Sequence, residues 1–159
     1  LPKGFEIRGK AEIENIGFTL TAMADRIDQD ETGAYHIYDY KTGSPPSADE
    51  QKFFDKQLLL EAAMAQQGAF DNLDPSDVAQ AIYIGLGGTF KEAPSPLDTE
   101  PVAKVWSEFT ALIASYMDDT KGFTARRAPR SEKDENDYDQ LARFGEWSGA
   151  DEPAPEDMA

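Results

Sequence analysis

The sequence predicts an α/β fold: a small mixed sheet, made of an antiparallel meander plus one further strand, flanked by helices. Three observations carry this. Residues 35–41 alternate with period two, setting Tyr35, Ile37, Asp39 and Lys41 on one face and His36, Tyr38 and Tyr40 on the other. Ser47-Ala48-Asp49-Glu50 is a capping box ahead of a long run of helix formers. Residues 78–86 form a short, mostly apolar run closed by glycines, the pattern of a buried strand.

Taken in order, residues 5–13 read as a first strand and residues 17–28 as a second, with β-formers at Phe18, Leu20 and Ile27. Residues 29–34 carry turn chemistry, and Gly33 suits a positive φ. Residues 35–41 complete the meander, and Thr42-Gly43-Ser44-Pro45-Pro46 ends it. A single helix is expected over 48–68, a loop over 71–77, a strand over 78–86 and a loop over 91–98, where Lys, Glu, Asp and Pro concentrate. Residues 100–118 form a second amphipathic helix, with Val102, Val105, Trp106, Phe109, Ile113, Tyr116 and Met117 at helical spacing. Trp106 and Phe109 read as core, and Gly85, Gly87 and Gly88 as a strand-ending turn, since no Walker-type Lys follows. Beyond Lys121 come a basic patch at Arg126, Arg127 and Arg130, an acidic run over 132–139, and apolar residues Tyr138, Leu141, Phe144 and Trp147, which suit a last short helix. Residues 1–147 are read as one domain and 148–159 as a disordered acidic tail.

The chain of 159 residues carries 15 Lys and Arg against 31 Asp and Glu, a net charge of −16. That excludes a protein that coats nucleic acid by charge alone. Cysteine is absent, which excludes disulfides, Cys-ligated zinc and a Cys-ligated iron–sulfur cluster. No run reaches eighteen apolar residues, so no membrane partner is expected. The chain opens at Leu1 without a charged and apolar leader; it reads as a domain excised from a larger cytoplasmic protein.

The chemistry concentrates at Asp25 and at Asp39-Tyr40-Lys41. If the turn centres near Thr32, hairpin partners sum to about 64 and Asp25 faces Asp39. Two carboxylates directly opposite on a sheet repel unless a cation lies between them. Hard divalent ions take carboxylate, carbonyl and water oxygens. Lys41, two residues on, shares the face of Asp39 and is placed to act on water or on a phosphate. The outline is metal-assisted phosphodiester hydrolysis; the competing reading of an Asp-x-Lys strand is a surface ion pair.

Ala24-Asp25-Arg26-Ile27-Asp28, then Tyr38-Asp39-Tyr40-Lys41-Thr42-Gly43, then Gln57 on the following helix, resemble the PD-(D/E)XK nuclease superfamily. The match is to its RecB-like branch, with the pattern G-x-x-D-R-I-D, D-Y-K-T-G and Q-x-x-x-Y. More narrowly, residues 18–70, the strand 81–88 and the segment 137–147 resemble the C-terminal nuclease domain of AddB-type double-strand break repair proteins. The resemblance implies a restriction-endonuclease-like core and a magnesium- or manganese-dependent deoxyribonuclease. Asp25, Asp39 and the Tyr40 carbonyl would ligate the metal. Lys41 would act on the nucleophilic water or the scissile phosphate, and Gln57 would place Lys41 or the DNA backbone. The implied partners are single-stranded DNA delivered by a motor and an AddA-type helicase–nuclease subunit.

Two departures stand beside this. The Tyr of Q-x-x-x-Y is Glu61 here, read as a solvated helix charge in preference to an outer carboxylate of the site. The branch's upstream acidic or His-bearing helix is expected to be missing. His36 reads as structural, Glu12 as an edge charge, and Arg126, Arg127 and Arg130 as possible DNA contacts. The alternative function is a non-catalytic nuclease fold that scaffolds a partner subunit or guides the exiting strand. A plain acidic, metal-buffering domain is the third reading.

Overall fold

The computed structural model describes residues 1–122, 139, 140, 143, 145–147 and 151. The basic patch at Arg126, Arg127 and Arg130, most of the expected last helix, and the tail apart from Asp151 lie outside them. The chain divides into two compact units, Leu1–Ala114 and Ser115–Ala159.

The first unit is built on one five-stranded sheet: β1 (Pro2–Ile13), β2 (Phe18–Gln29), β3 (Tyr35–Lys41), β4 (Val78–Gly85) and β5 (Lys91–Pro94), in the spatial order β1-β2-β3-β4-β5. The first three strands form the expected antiparallel meander, with Arg26 opposite Tyr38 and Ile27 opposite Ile37. β4 then lies parallel to β3. A parallel neighbour needs a long crossover, and helices α1 (Ala48–Phe53) and α2 (Gln57–Gln66) supply it.

Two expectations are corrected. The helix expected over 48–68 is two helices, broken at Phe54–Lys56. The Ser47–Glu50 capping box forms as expected at the start of α1. At the break the Asp55 carboxylate accepts the Gln57 backbone N–H at 3.4 Å, a local bond that competes with the helical ladder. Tertiary contacts hold it there: the Tyr83 hydroxyl on β4 donates to Asp55, and Lys56 pairs with buried Glu100 at 2.9 Å. The segment 91–98, expected as a loop, begins with strand β5. Its charged residues and closing Pro94 are the composition that protects a sheet edge.

The core gathers Ala24 and Ile27 of β2, Tyr35 and Ile37 of β3, Ala81 and Tyr83 of β4, and Leu58, Ala62, Met64 and Ala65 of α2. Each fully buried Leu, Ile or Met side chain contributes about 1.5–3 kcal/mol. The alanines of α2 let the helix lie close to the sheet, and Gly9 on β1 does the same for the loop that follows. A Cβ on Gly9 would stand 2.8 Å from the Phe70 ring and 2.9 Å from Met64 Cε. Gly9→Ala should therefore destabilise the protein by about 1–3 kcal/mol, read as a lower denaturation midpoint at unchanged m-value. A neutral Gly9→Ala would mean the loop yields freely.

Helix α3 (Val102–Tyr116) follows β5. Val105 is buried, Trp106 packs against the core, and Phe109 meets the Phe18 ring edge-on at 6.0 Å. Trp106 thus packs half-buried against the core as expected, while Phe109 is half-buried against Phe18 and Trp106. In the second unit the described residues include the end of α3, a turn in which Asp118 accepts from the backbone N–H and hydroxyl of Thr120, and the exposed pair Arg143–Glu146. Among the described residues, no helix is long and apolar enough to cross a membrane.

Candidate active site

The site forms at the C-terminal end of β3, the middle strand of the sheet. Strand alternation carries Asp39 into the interior, 5 % exposed, on the face that buries Tyr35 and Ile37. The β2–β3 ladder is regular up to Arg26–Tyr38. At the next position the two strands do not pair. Instead the Asp25 carboxylate accepts the Tyr40 backbone N–H at 2.8 Å. The register is the expected one, but Asp25 replaces a ladder contact and fixes the peptide between Asp39 and Tyr40.

Gln57, the first residue of α2, ties the remaining groups together. Its amide nitrogen donates to Asp39 Oδ1 at 2.8 Å and to Glu61 Oε1 at 3.1 Å. Its amide oxygen accepts from Lys41 Nζ at 3.1 Å. Lys41 Nζ also stands 2.9 Å from Asp39 Oδ2. One side-chain amide therefore uses both its donors and its carbonyl oxygen to hold a cation, an anion and a second carboxyl in fixed relation. The Lys41 side chain keeps 31 % of its surface exposed, so the arrangement opens to solvent on the side of the ammonium.

Glu61 is the residue that sequence reasoning placed wrongly. It is 3 % exposed, one turn along α2 from Gln57, and not a solvated charge. Burial pushes its carboxyl up to about 7; the Asp39 and Asp25 charges add to this, while the Gln57 hydrogen bond and Lys41 oppose it. A signal was present. Leu58, Leu59, Ala62, Ala63, Met64 and Ala65 are all buried, so α2 has little wet face left at Glu61.

The other singled-out residues lie apart from this network. His36 bonds Asp30 at 3.0 Å and Gln80 at 3.2 Å, a structural role as expected. Arg26 grips Asp28 through two hydrogen bonds and stacks near the Tyr38 ring, so it is engaged by its own strand and its neighbour. Glu12 pairs with Lys10 at the exposed edge. Gly85 and Gly87 close the end of β4, where the Leu86 N–H bonds the Lys41 carbonyl at 2.8 Å.

The donor set suits a hard divalent cation. Asp39 Oδ2, outside its ion pair with Lys41, and Glu61 Oε2 are buried oxygens without a hydrogen-bond partner among the described residues. Such oxygens are costly unless something satisfies them. Also among the described residues, no three Asp, Glu or His side chains form a closed cage. A cation here would rest on few protein oxygens and keep several waters, as magnesium does.

A central-strand Asp-x-Lys, an Asp at the facing position of β2 and a helix Gln thus stand together at one end of a mixed sheet. The profile of the PD-(D/E)XK nuclease superfamily matches residues 2–150, and the chain belongs to that superfamily. Its members are generally nucleases dependent on divalent metal ions. An uncharacterized protein of Rickettsia typhi (strain ATCC VR-144 / Wilmington) is 33% identical over 89 residues. That match covers 51% of this chain and 10% of the relative, so the chain corresponds to a small part of the relative's length.

Proposed function

We propose that this chain is the cation-dependent deoxyribonuclease module of an AddAB- or RecBCD-like helicase–nuclease, cutting single-stranded DNA during double-strand end resection for recombinational repair. The observation that carries the reading is the Gln57 amide, which holds Lys41 and Asp39 together beside two buried carboxylate oxygens: Asp39 Oδ2, met by the Lys41 ammonium alone, and Glu61 Oε2, which has no hydrogen-bond partner among the described residues. In this reading Asp25, Asp39 and the Tyr40 carbonyl would hold magnesium or manganese, with the Glu61 carboxyl beside Asp39. The bound ion supplies Lewis-acid polarisation of a phosphate oxygen and a more acidic water. Lys41, kept extended by Gln57, orients the attacking water and offsets negative charge on the phosphate as it becomes five-coordinate. Gln57 fixes the distance between Lys41 and Asp39, so the cationic and anionic groups need no rearrangement.

An open cleft of about 480 Å³ lies past the ends of β3 and β4, lined in part by Gly43, Pro45, Gly87 and Phe90; Asp25, Asp39, Lys41 and Gln57 do not line it, so it would carry the strand beside the site. Ligands of α/β sheets enter outside the carboxyl ends of parallel strands, and β3 and β4 are the parallel pair here. Phe90 is 67 % exposed and offers a stacking face to an unpaired base. The net charge of −16 favours a strand handed over by a basic motor partner, because tethering supplies effective concentration.

The test is cleavage of labelled single-stranded DNA by the full chain with magnesium or manganese, and its loss on chelation. Binding by this chain alone should be weak and vanish with added salt, and Phe90→Ala should weaken it severalfold without lowering stability. Tight, salt-resistant binding that ignores Phe90 would contradict this part of the reading. A folded chain that holds a partner subunit yet never cuts would favour the scaffolding role.

A further inference from the structure

We propose that Tyr83 is a positioning residue, which sets the Lys41–Gln57 pair from below through a latch to Asp55. Its consequence for cleavage rests on the nuclease reading above; its geometric consequence does not.

Tyr83 lies on β4, in register with Asp39 on β3, and is completely buried. Its hydroxyl donates to Asp55 Oδ1 at 2.8 Å and accepts the Leu58 backbone N–H at 3.2 Å. Those two partners flank Gln57 in the chain. Asp55 Oδ1 also receives the Gln57 backbone N–H at 3.4 Å. The first turn of any helix exposes N–H groups with no intrahelical acceptor. At α2 the N-cap residue, Lys56, contributes no side-chain cap. The Tyr83 hydroxyl and Asp55 carboxylate supply the cap instead, one of them from a neighbouring strand.

The same residue touches the other half of the pair. Lys41 Nζ stands 5.2 Å from the centroid of the Tyr83 ring, within reach of a cation–π interaction. One side chain thus fixes the start of the helix that presents Gln57 and lies beneath the ammonium that Gln57 bonds. Burial, with the Asp55 hydrogen bond, pushes the phenol far above its ordinary range, so the latch stays a neutral donor at every working pH. It is a fixed support and not a switch.

The experiment compares Tyr83→Phe, Asp55→Ala and Asp55→Asn with wild type. Tyr83→Phe keeps the ring and deletes the hydroxyl; Asp55→Asn keeps an acceptor oxygen. Tyr83→Phe and Asp55→Ala should each lower kcat for single-strand cleavage about tenfold or more, with KM within twofold and no change in the pH profile; Asp55→Asn should recover most of it. The independent readout is nuclear magnetic resonance of the Gln57 side-chain amide and the Leu58 backbone amide. Both should be slowed in exchange in wild type and Asp55→Asn, and fast in Tyr83→Phe and Asp55→Ala. Gly9→Ala, which weakens the fold at the Phe70 loop and the far end of α2, should leave kcat and the Gln57 side-chain amide unchanged and so separates positioning from general stability. Preserved Gln57 and Leu58 protection in Tyr83→Phe would overturn the proposal. If wild type cuts nothing, the amide readout still decides the latch, and the failure belongs to the nuclease reading.

Discussion

Replacing Glu61 by Gln should make the protein more stable at pH 8, by about 3 kcal/mol, while leaving it nearly unchanged at pH 4.5. The carboxyl titrates at about 7 in the folded chain against an ordinary 4.5. Between those values the folded state holds a proton that the unfolded state has released. Stability contributed by this group is therefore full below pH 4.5, falls as pH rises toward 7, and stays lost above it. Each tenfold difference in proton affinity between the two states corresponds to about 1.4 kcal/mol. Gln cannot ionise, and its oxygen can still accept the Gln57 N–H, so the variant escapes the penalty. Denaturant titrations of both proteins from pH 4.5 to 8 check this. Parallel curves for wild type and Glu61→Gln would show that Glu61 is solvated and ordinary.

Asp39→Asn should abolish cation-dependent cleavage, with a loss of at least a thousandfold, and remove any thermal stabilisation by manganese. The carboxylate is buried, its Oδ2 lacks a hydrogen-bond partner among the described residues, and Lys41 stands beside it as an ion-pair partner. Asn preserves shape and the Gln57 bond to Oδ1 but removes the charge that a cation and Lys41 both need. The fold itself should survive, because the substitution also relieves repulsion toward Glu61, whose carboxyl the Asp39 charge raises. Circular dichroism and a manganese titration by thermal shift separate these effects. An Asp39→Asn protein that is folded, still stabilised by manganese and still active would place the centre elsewhere.

The elements that local chemistry decides were legible in the sequence. Alternation over 35–41 and the turn at 29–34 gave the meander and its register, and the capping box gave the start of α1. Asp25, Asp39, Lys41 and Gln57 were singled out from pattern and resemblance; the fold links the side chains of Asp39, Lys41 and Gln57, and joins Asp25 to the same strand end through the Tyr40 backbone N–H. What escaped depends on contacts across the chain. The helix break needs Tyr83, 28 residues away, to take Asp55. Strand β5 looks like a loop because an edge strand is built from residues that discourage pairing. Glu61 looks like a surface charge because its four-residue spacing from Gln57 says nothing about what covers that face of the helix. Tyr83 reads as one more buried aromatic, and only the partners of its hydroxyl distinguish it.

The most direct measurement of the nuclease assignment joins two readings on the same samples: manganese binding and single-strand DNA cleavage, in wild type and in Lys41→Ala. Lys41 is assigned to the water and the phosphate and not to the cation, so the two readings should part. Wild type should bind manganese and cut; Lys41→Ala should bind manganese and cut at least a hundredfold more slowly. A Lys41→Ala protein that cuts like wild type, or a folded wild type that neither binds manganese nor cuts, would contradict the assignment.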